Sequence, residues 1–265
     1  MTESALHSPI SSPRTQRSTR IRPFGLADGI DLLITRLNAL APLAAQDHDL
    51  LRRLPGPLEN LCTAQTLDPA LPRFLISGWA CRYRMLSDGR RQIFAVVLPG
   101  DSIGLSERGR PLGQCGVITM TPCRTIGASS FLMASANPAH NALKRAQEAA
   151  SALEASFLLD QIVRLGRQTA MERLAHLLLE LQWRLAQVGL THERQFPLPL
   201  TQEVLADTTG LSIVHVNRTL QQMRRERLIE LRHSMVTLLE PEQLARIADY
   251  RAPDPMQWTE PALEA

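Results

Sequence analysis

The 265-residue chain has no long hydrophobic run. Its longest, Ile93-Phe94-Ala95-Val96-Val97-Leu98, falls far short of the roughly 18–20 residues needed to cross a bilayer, which excludes a membrane-spanning helix. Cysteine is scarce: Cys62, Cys81, Cys115 and Cys123 form no Cys-x-x-Cys pair. Their spacings of 19, 34 and 8 match no common metal pattern, so a disulfide scaffold is excluded and buried core thiols in a reducing cytosol are expected. The seven histidines lack the i, i+4 pairing of a helical metal site, and no metal is predicted. A Gly-rich phosphate loop and a nucleophile–base pair are also missing, so the chain is not read as an enzyme. Residues 1–22 lack the 7- to 15-residue apolar stretch of a secretory signal. Their Ser-, Thr- and Arg-rich composition is shared by transit peptides, but a disordered basic tail over residues 1–25 is the preferred reading.

What the chain does have is apolar material for a sizeable core, 44% of residues, with 21% charged. The net charge of +3 says little, but its distribution says more. Arg14, Arg17, Arg20 and Arg22 form an acid-free run. A second basic stretch carries Arg218, Arg224, Arg225, Arg227 and Arg232 against only Glu226 and Glu230. Both suit an anionic partner, and the tail would add salt-dependent, nonspecific attraction.

Helical pieces over Gly29 to Leu40 and near Asp47 to Arg53 precede the breaker Pro55-Gly56-Pro57. From Arg73 to Leu98 the period is strand-like, with Trp79, Cys81, Tyr83 and Met85 expected on one face. Ser87-Asp88-Gly89-Arg90 predicts a hairpin turn, and Pro99-Gly100-Asp101 is expected to close that hairpin. A further apolar-and-Thr segment runs from Val117 to Ile126, and the region 70–135 reads as all-β. Beyond Pro138 the pattern turns helical. Leu143, Ala146, Ala150, Leu153, Phe157, Leu158, Ile162 and Leu165 form a long stripe that Gly166 interrupts. The stripe is read as a dimer helix in preference to burial on the chain's own β domain, since its alanines permit close approach of a second helix. A second helix through Met171, Leu174, Leu178, Leu181 and Leu185 ends at Gly189.

The segment Thr201 to Met223 carries the arithmetic of a helix-turn-helix: Thr201 as an N-cap, a Thr208-Thr209-Gly210 turn, and Ser212 capping a second helix. Ala206 is small where the helices cross, Gly210 can take the left-handed turn, and Val216, Leu220 and Met223 form the inward face. That leaves Val214, Asn217, Arg218 and Gln221 outward, with Ser212 and His215 on the leading turn. Arg can grip guanine with two hydrogen bonds, and Asn or Gln can read adenine, so this face suits a DNA major groove. Arg224, Arg225 and Arg227 would lie near phosphates. The run Ile229 to Leu238 reads as a hairpin wing, whose Arg232, His233 and Ser234 would touch the backbone.

This order of parts resembles the Crp/Fnr superfamily of bacterial transcription regulators over roughly residues 30–250. The most specific stretches are Pro197-Leu198-Pro199-Leu200-Thr201-Gln202-Glu203 and Leu211-Ser212-Ile213-Val214-His215-Val216-Asn217-Arg218-Thr219-Leu220, with Pro99-Gly100-Asp101-Ser102-Ile103-Gly104 as a weaker signal. The resemblance implies an α+β chain: a cyclic-nucleotide-binding-like β-roll over 26–140, a dimerisation helix over 141–168, a winged helix-turn-helix over 169–250 and a flexible tail over 251–265. It also implies a cytoplasmic homodimer on double-stranded DNA, reading a palindrome through the helix 212–225, with RNA polymerase as a further candidate partner. The alternative is a small-ligand-binding β-roll whose helix-turn-helix makes protein contacts.

Departures from the pattern bear on the ligand. Cyclic-nucleotide-binding members follow the Gly104 position with Glu and, later, an Arg-Ser pair; here Leu105 follows, and no Arg-Ser pair occurs between 104 and 126. Glu107, Arg108 and Arg110 are only displaced substitutes, so no cyclic nucleotide is expected. The oxygen-sensing branch uses clustered cysteines near the N-terminus, and this chain has none before Cys62, so an iron–sulfur cluster is not expected either.

Overall fold

A computed structural model describes residues 26–53, 58–105 and 115–254. Two helices, α1 (Leu26–Leu40) and α2 (Ala45–Arg52), precede eight strands. These are β1 (Leu58–Leu61), β2 (Thr66–Leu67), β3 (Arg73–Ser77), β4 (Ala80–Met85), β5 (Arg91–Val97), β6 (Ser102–Ile103), β7 (Gly116–Thr119) and β8 (Cys123–Gly127). They make two four-stranded antiparallel sheets, ordered β1-β8-β3-β6 and β2-β7-β4-β5. Leu61, Leu67, Leu75, Ala80, Val97, Ile103 and Val117 fill the space shared by the two sheets.

The Ser87–Arg90 turn forms as its residues require. Gly89 sits at φ +85°, Leu86 N–H donates to Arg90 O at 2.8 Å, and the Asp88 carboxylate accepts from Arg90 N–H. Pro99-Gly100-Asp101 does something different from closing that hairpin. It carries the chain to the other sheet, where β6 pairs with β3 and Gly100 N–H donates to Leu75 O at 2.8 Å.

The expected alternation along β4 also fails. Ala80 and Cys81 are both fully buried, whereas Arg84 and Met85 are both exposed. At its start β4 is covered on both faces, by the opposing sheet and by the leucines that pack with Trp79 and Val96. Toward its tip the β4–β5 hairpin runs out beyond the sheets. A register shift between Arg82 and Tyr83 breaks the two-residue period where the cover ends.

Helix α3 (Ser129–Ser135) and a single 3-10 turn lead into the 27-residue α4 (Asn141–Arg167). Its apolar stripe divides between two roles. Leu143, Ala146, Ala149 and Leu153 are buried with Leu33, Leu37 and Phe131, so this half packs on the chain's own N-terminal domain. Farther on, Leu158, Leu159, Ile162 and Val163 are 38%, 64%, 67% and 52% exposed. Gly166 lies inside the helix, and the break falls at Gln168, whose backbone is extended. There Thr169 starts α5 (Ala170–Ala186) with a capping box: Thr169 N–H donates to Glu172 Oε2 at 2.8 Å, and Glu172 N–H to Thr169 Oγ1.

The remainder is β9 (Gln195–Pro197), α6 (Gln202–Thr209), α7 (Ile213–Arg225), β10 (Ile229–Arg232), β11 (Met235–Leu238) and α8 (Pro241–Ala248). Strands β10-β11-β9 form a small antiparallel sheet. Its Phe196, Val236 and Leu238 join Leu205, Val216, Met223 and the α5 leucines in one core. Among the described residues no helix is long and apolar enough to cross a membrane.

Candidate nucleic-acid interface

Thr201 caps α6 by accepting from Val204 N–H, and Gly210 ends it in the left-handed region at φ +64°. Thr208 and Thr209 belong to α6 itself, so the turn is Gly210-Leu211-Ser212 rather than Thr208-Thr209-Gly210. Ser212 then caps α7, its Oγ accepting from His215 N–H at 3.2 Å. Ala206 at the crossing and Val216, Leu220 and Met223 on the inner face are buried together, which fixes the rotation of α7 about its axis.

That rotation leaves Ser212, Val214, His215, Asn217, Arg218 and Gln221 exposed on one side. Val214 is 67% exposed and Ile213 49%, apolar surface of the kind that meets a thymine methyl. Gln221 Nε2 donates to Asn217 Oδ1 at 3.0 Å, so these two amides orient one another. Arg218 has no ion pair among the described residues. At the end of α7, Arg224, Arg225 and Arg227 line an open groove with Glu230 and Arg232 of β10. His233 and Ser234 form the tip of the β10–β11 hairpin at φ +50° and +58°, the conformation of a two-residue turn. Arg232 is 76% exposed at the side chain and pairs with Glu230 at 2.6 Å.

The domain carrying this face is tied to the rest of the chain by a buried charge network without an obvious mark in the sequence. Arg184 of α5 bonds Asp101, the residue of the Pro99-Gly100-Asp101 turn, and donates to Val96 O at 2.7 Å. It also pairs with Glu180 at 3.1 Å, and its guanidinium lies 5.0 Å from the Phe157 ring centre. Arg164 of α4 pairs with the other oxygen of Glu180. Burial opposes the Glu180 charge, but Arg164 and Arg184 outweigh it and hold its carboxyl below the ordinary range. Burial, reinforced by the Arg164 charge, depresses His176 to about 4.

Comparison with known proteins agrees with this layout. Residues 172–247 match the model of the Crp-like helix-turn-helix domain. The chain is 32% identical over 213 residues to the transcriptional activatory protein AadR of Rhodopseudomonas palustris, covering 78% of this chain and 87% of that one. The chain belongs to the Crp/Fnr family of transcription regulators. A second relative of this Crp/Fnr regulator is the nitrogen fixation regulation protein FixK of Bradyrhizobium diazoefficiens, 34% identical over 175 residues, covering 66% of this chain and 72% of that one. Among solved structures, FixK2 from Bradyrhizobium japonicum superposes with a TM-score of 0.63 at 27% identity, over 75% of this chain and all of that one. The Thermus thermophilus regulator TTHB099, at 21% identity and a TM-score of 0.56, shares the fold.

Within this Crp/Fnr fold the cyclic-nucleotide position does not fit its ligand. Leu105, where a ribose-binding carboxylate would stand, is 5% exposed and belongs to the apolar core. Arg36, which lines the same small cavity as Leu105, pairs with Asp101 at 3.9 Å, and Arg82 is occupied by Ser102 O at 2.8 Å and Glu154 at 3.5 Å. Glu107, Arg108 and Arg110 lie outside the described residues, as do the N-terminal tail and residues 255–265. Among the described residues there is no group of three or more His, Cys, Asp and Glu that could hold a metal. Cys81 and Cys123 are buried core thiols, and burial pushes the Cys81 thiol up to about 12, whereas Cys62 is exposed and Cys115 half-buried, so the expectation of core thiols fails for these two.

Proposed function

We propose that this regulator is a cytoplasmic, non-enzymatic homodimer whose paired α7 helices read a palindromic operator, with half-sites about 34 Å apart along the duplex. The observation that carries the reading is the exposed outer face of α7, with Arg218 at its centre and no ion pair to it among the described residues. In this reading Arg218, Asn217 and Gln221 read base edges, and Val214 makes apolar contact. Ser212 and His215 enter at the leading turn, while Arg224, Arg225 and Arg232 hold phosphates and set register. Reaching a phosphate costs Arg232 its exposed pair with Glu230, which is a small loss in water. RNA polymerase is a further partner in this reading.

The dimer contact is supported by Leu158, Leu159, Ile162 and Val163 on one face of α4. Four neighbouring exposed aliphatic side chains on a helix form a seam of coiled-coil type. Arg218→Ala tests the reader. Specific operator affinity, measured by fluorescence anisotropy at fixed salt, should fall by about 1–3 kcal/mol, with relaxed discrimination at one base pair per half-site. Unchanged affinity and selectivity would remove Arg218 from the reading face.

A further inference from the structure

An α-helix leaves its last carbonyls without internal donors, so the C-terminus of α6 can be audited oxygen by oxygen. Val204 O accepts from Thr208 Oγ1 and Leu205 O from Thr209 Oγ1, both at 2.7 Å. Ala206 O takes the backbone N–H of Gly210 and of Leu211. The remaining three are bonded by side chains from three different elements outside the helix-turn-helix. Gln92 of β5 donates to Asp207 O at 2.7 Å, Gln161 of α4 to Thr208 O at 2.7 Å, and Arg173 of α5 to Thr209 O at 2.9 Å.

An ion pair reinforces the same end. Arg91, at the tip of the β4–β5 hairpin, reaches Asp207 Oδ2 with Nε at 2.8 Å and Nη2 at 2.7 Å, both side chains 23% exposed. Gly210 lies directly beneath: a Cβ there would meet Leu165 Cδ2 at 2.9 Å and Arg173 Nη1 at 3.4 Å. The first helix of the reader is thus clamped at one end by the β domain, the dimer helix and α5. In this clamped state every proposed reading side chain on α7 is exposed, so the clamp does not cover the reading face.

We infer that Arg91, Gln92, Gln161 and Arg173 are positioning residues for DNA recognition: they hold α6, and through it α7, in the orientation that meets the operator. This rests on the reader assignment of the preceding section. A reader held in place before binding loses less freedom on docking, so loosening the clamp lowers specific affinity more than nonspecific affinity. It also gives the β4–β5 hairpin a lever on α6 and, through it, on α7.

The test is a charge swap in the full-length protein. Arg91→Asp, Asp207→Arg and the double variant are compared with wild type on an operator duplex recovered by in vitro selection and on a scrambled duplex. If bulk charge alone mattered, Arg91→Asp would weaken binding and Asp207→Arg would strengthen it. The clamp predicts that both single variants lose at least about fivefold in specific affinity. The double variant, which has the wild-type net charge, recovers most of it, with affinity for the scrambled duplex following charge only. Single variants that move in opposite directions, or that both bind the operator as wild type does, would overturn the clamp while leaving the reader assignment standing. A single variant that binds the operator more tightly at unchanged scrambled-duplex affinity would overturn it too, by making the contact inhibitory. Failure of the wild type to select any operator would overturn the reader assignment and the clamp with it. Circular dichroism melts of all four proteins separate these outcomes from misfolding.

Discussion

At the scale of single residues, the buried side of α7 decides which of its side chains face outward. Ser212, Asn217, Arg218 and Gln221 emerge where a helical period anchored on Val216, Leu220 and Met223 puts them, because one buried stripe fixes the opposite face. Glu180 and Arg184 of α5, Arg164 of α4 and Asp101 meet from three separate stretches of chain, and beyond the i, i+4 spacing of Glu180 and Arg184 local periodicity carries no signal for such a meeting. His176 belongs with them. Its Nδ1 lies 3.2 Å from Gln168 Nε2, its ring meets Tyr250 edge-on at 5.1 Å, and Arg164 and Glu180 are the nearby charges. A histidine held near 4 stays neutral in the fold while the unfolded chain takes up a proton near 6.5. The unfolded state therefore binds more protons through that window, and stability falls as pH drops from about 6.5 toward 4. The urea midpoint should decline between pH 7 and pH 5 more steeply for wild type than for His176→Gln; parallel declines would mean that His176 does not titrate differently on unfolding.

At the scale of elements, existence and order were legible and partition was not. The hairpin around Gly89, the helix pair and the wing follow from turn residues and period, which act over a few positions. The division of the α4 apolar stripe into a buried first part and an exposed second part could not be read, since Leu143 and Ile162 look alike until something packs on one of them. The failed alternation of β4 has the same origin: cover from α5 at one end and projection of the hairpin at the other. The exposed half of α4 makes its own prediction. Ile162, 67% exposed, should tolerate Ile162→Glu without loss of fold, because the side chain leaves no internal contact of consequence. Placed in a subunit seam, a charge facing its symmetry mate opposes association, and sedimentation equilibrium should then show a shift from dimer toward monomer. A dimer of unchanged strength would move the interface off this face.

At the scale of the whole molecule, three arrangements act together: a β domain with Leu105 in its apolar core, a helix with one free apolar face, and a reader clamped through the C-terminus of α6. Docking of the reader on the β4–β5 hairpin depends on Arg91 and Asp207, 116 positions apart, and so lay beyond any local pattern in the sequence. The family relation supplied the order of domains, and the structure supplied how they are held. The central claim is that two α7 helices read DNA as a symmetric pair. In vitro selection with the purified full-length protein on random duplexes, at about 150 mM salt to suppress nonspecific binding, tests it without presuming an operator. Enrichment of a two-fold palindrome with half-sites one duplex turn apart is the predicted result; an enriched asymmetric single site, or no enrichment at all, would contradict it.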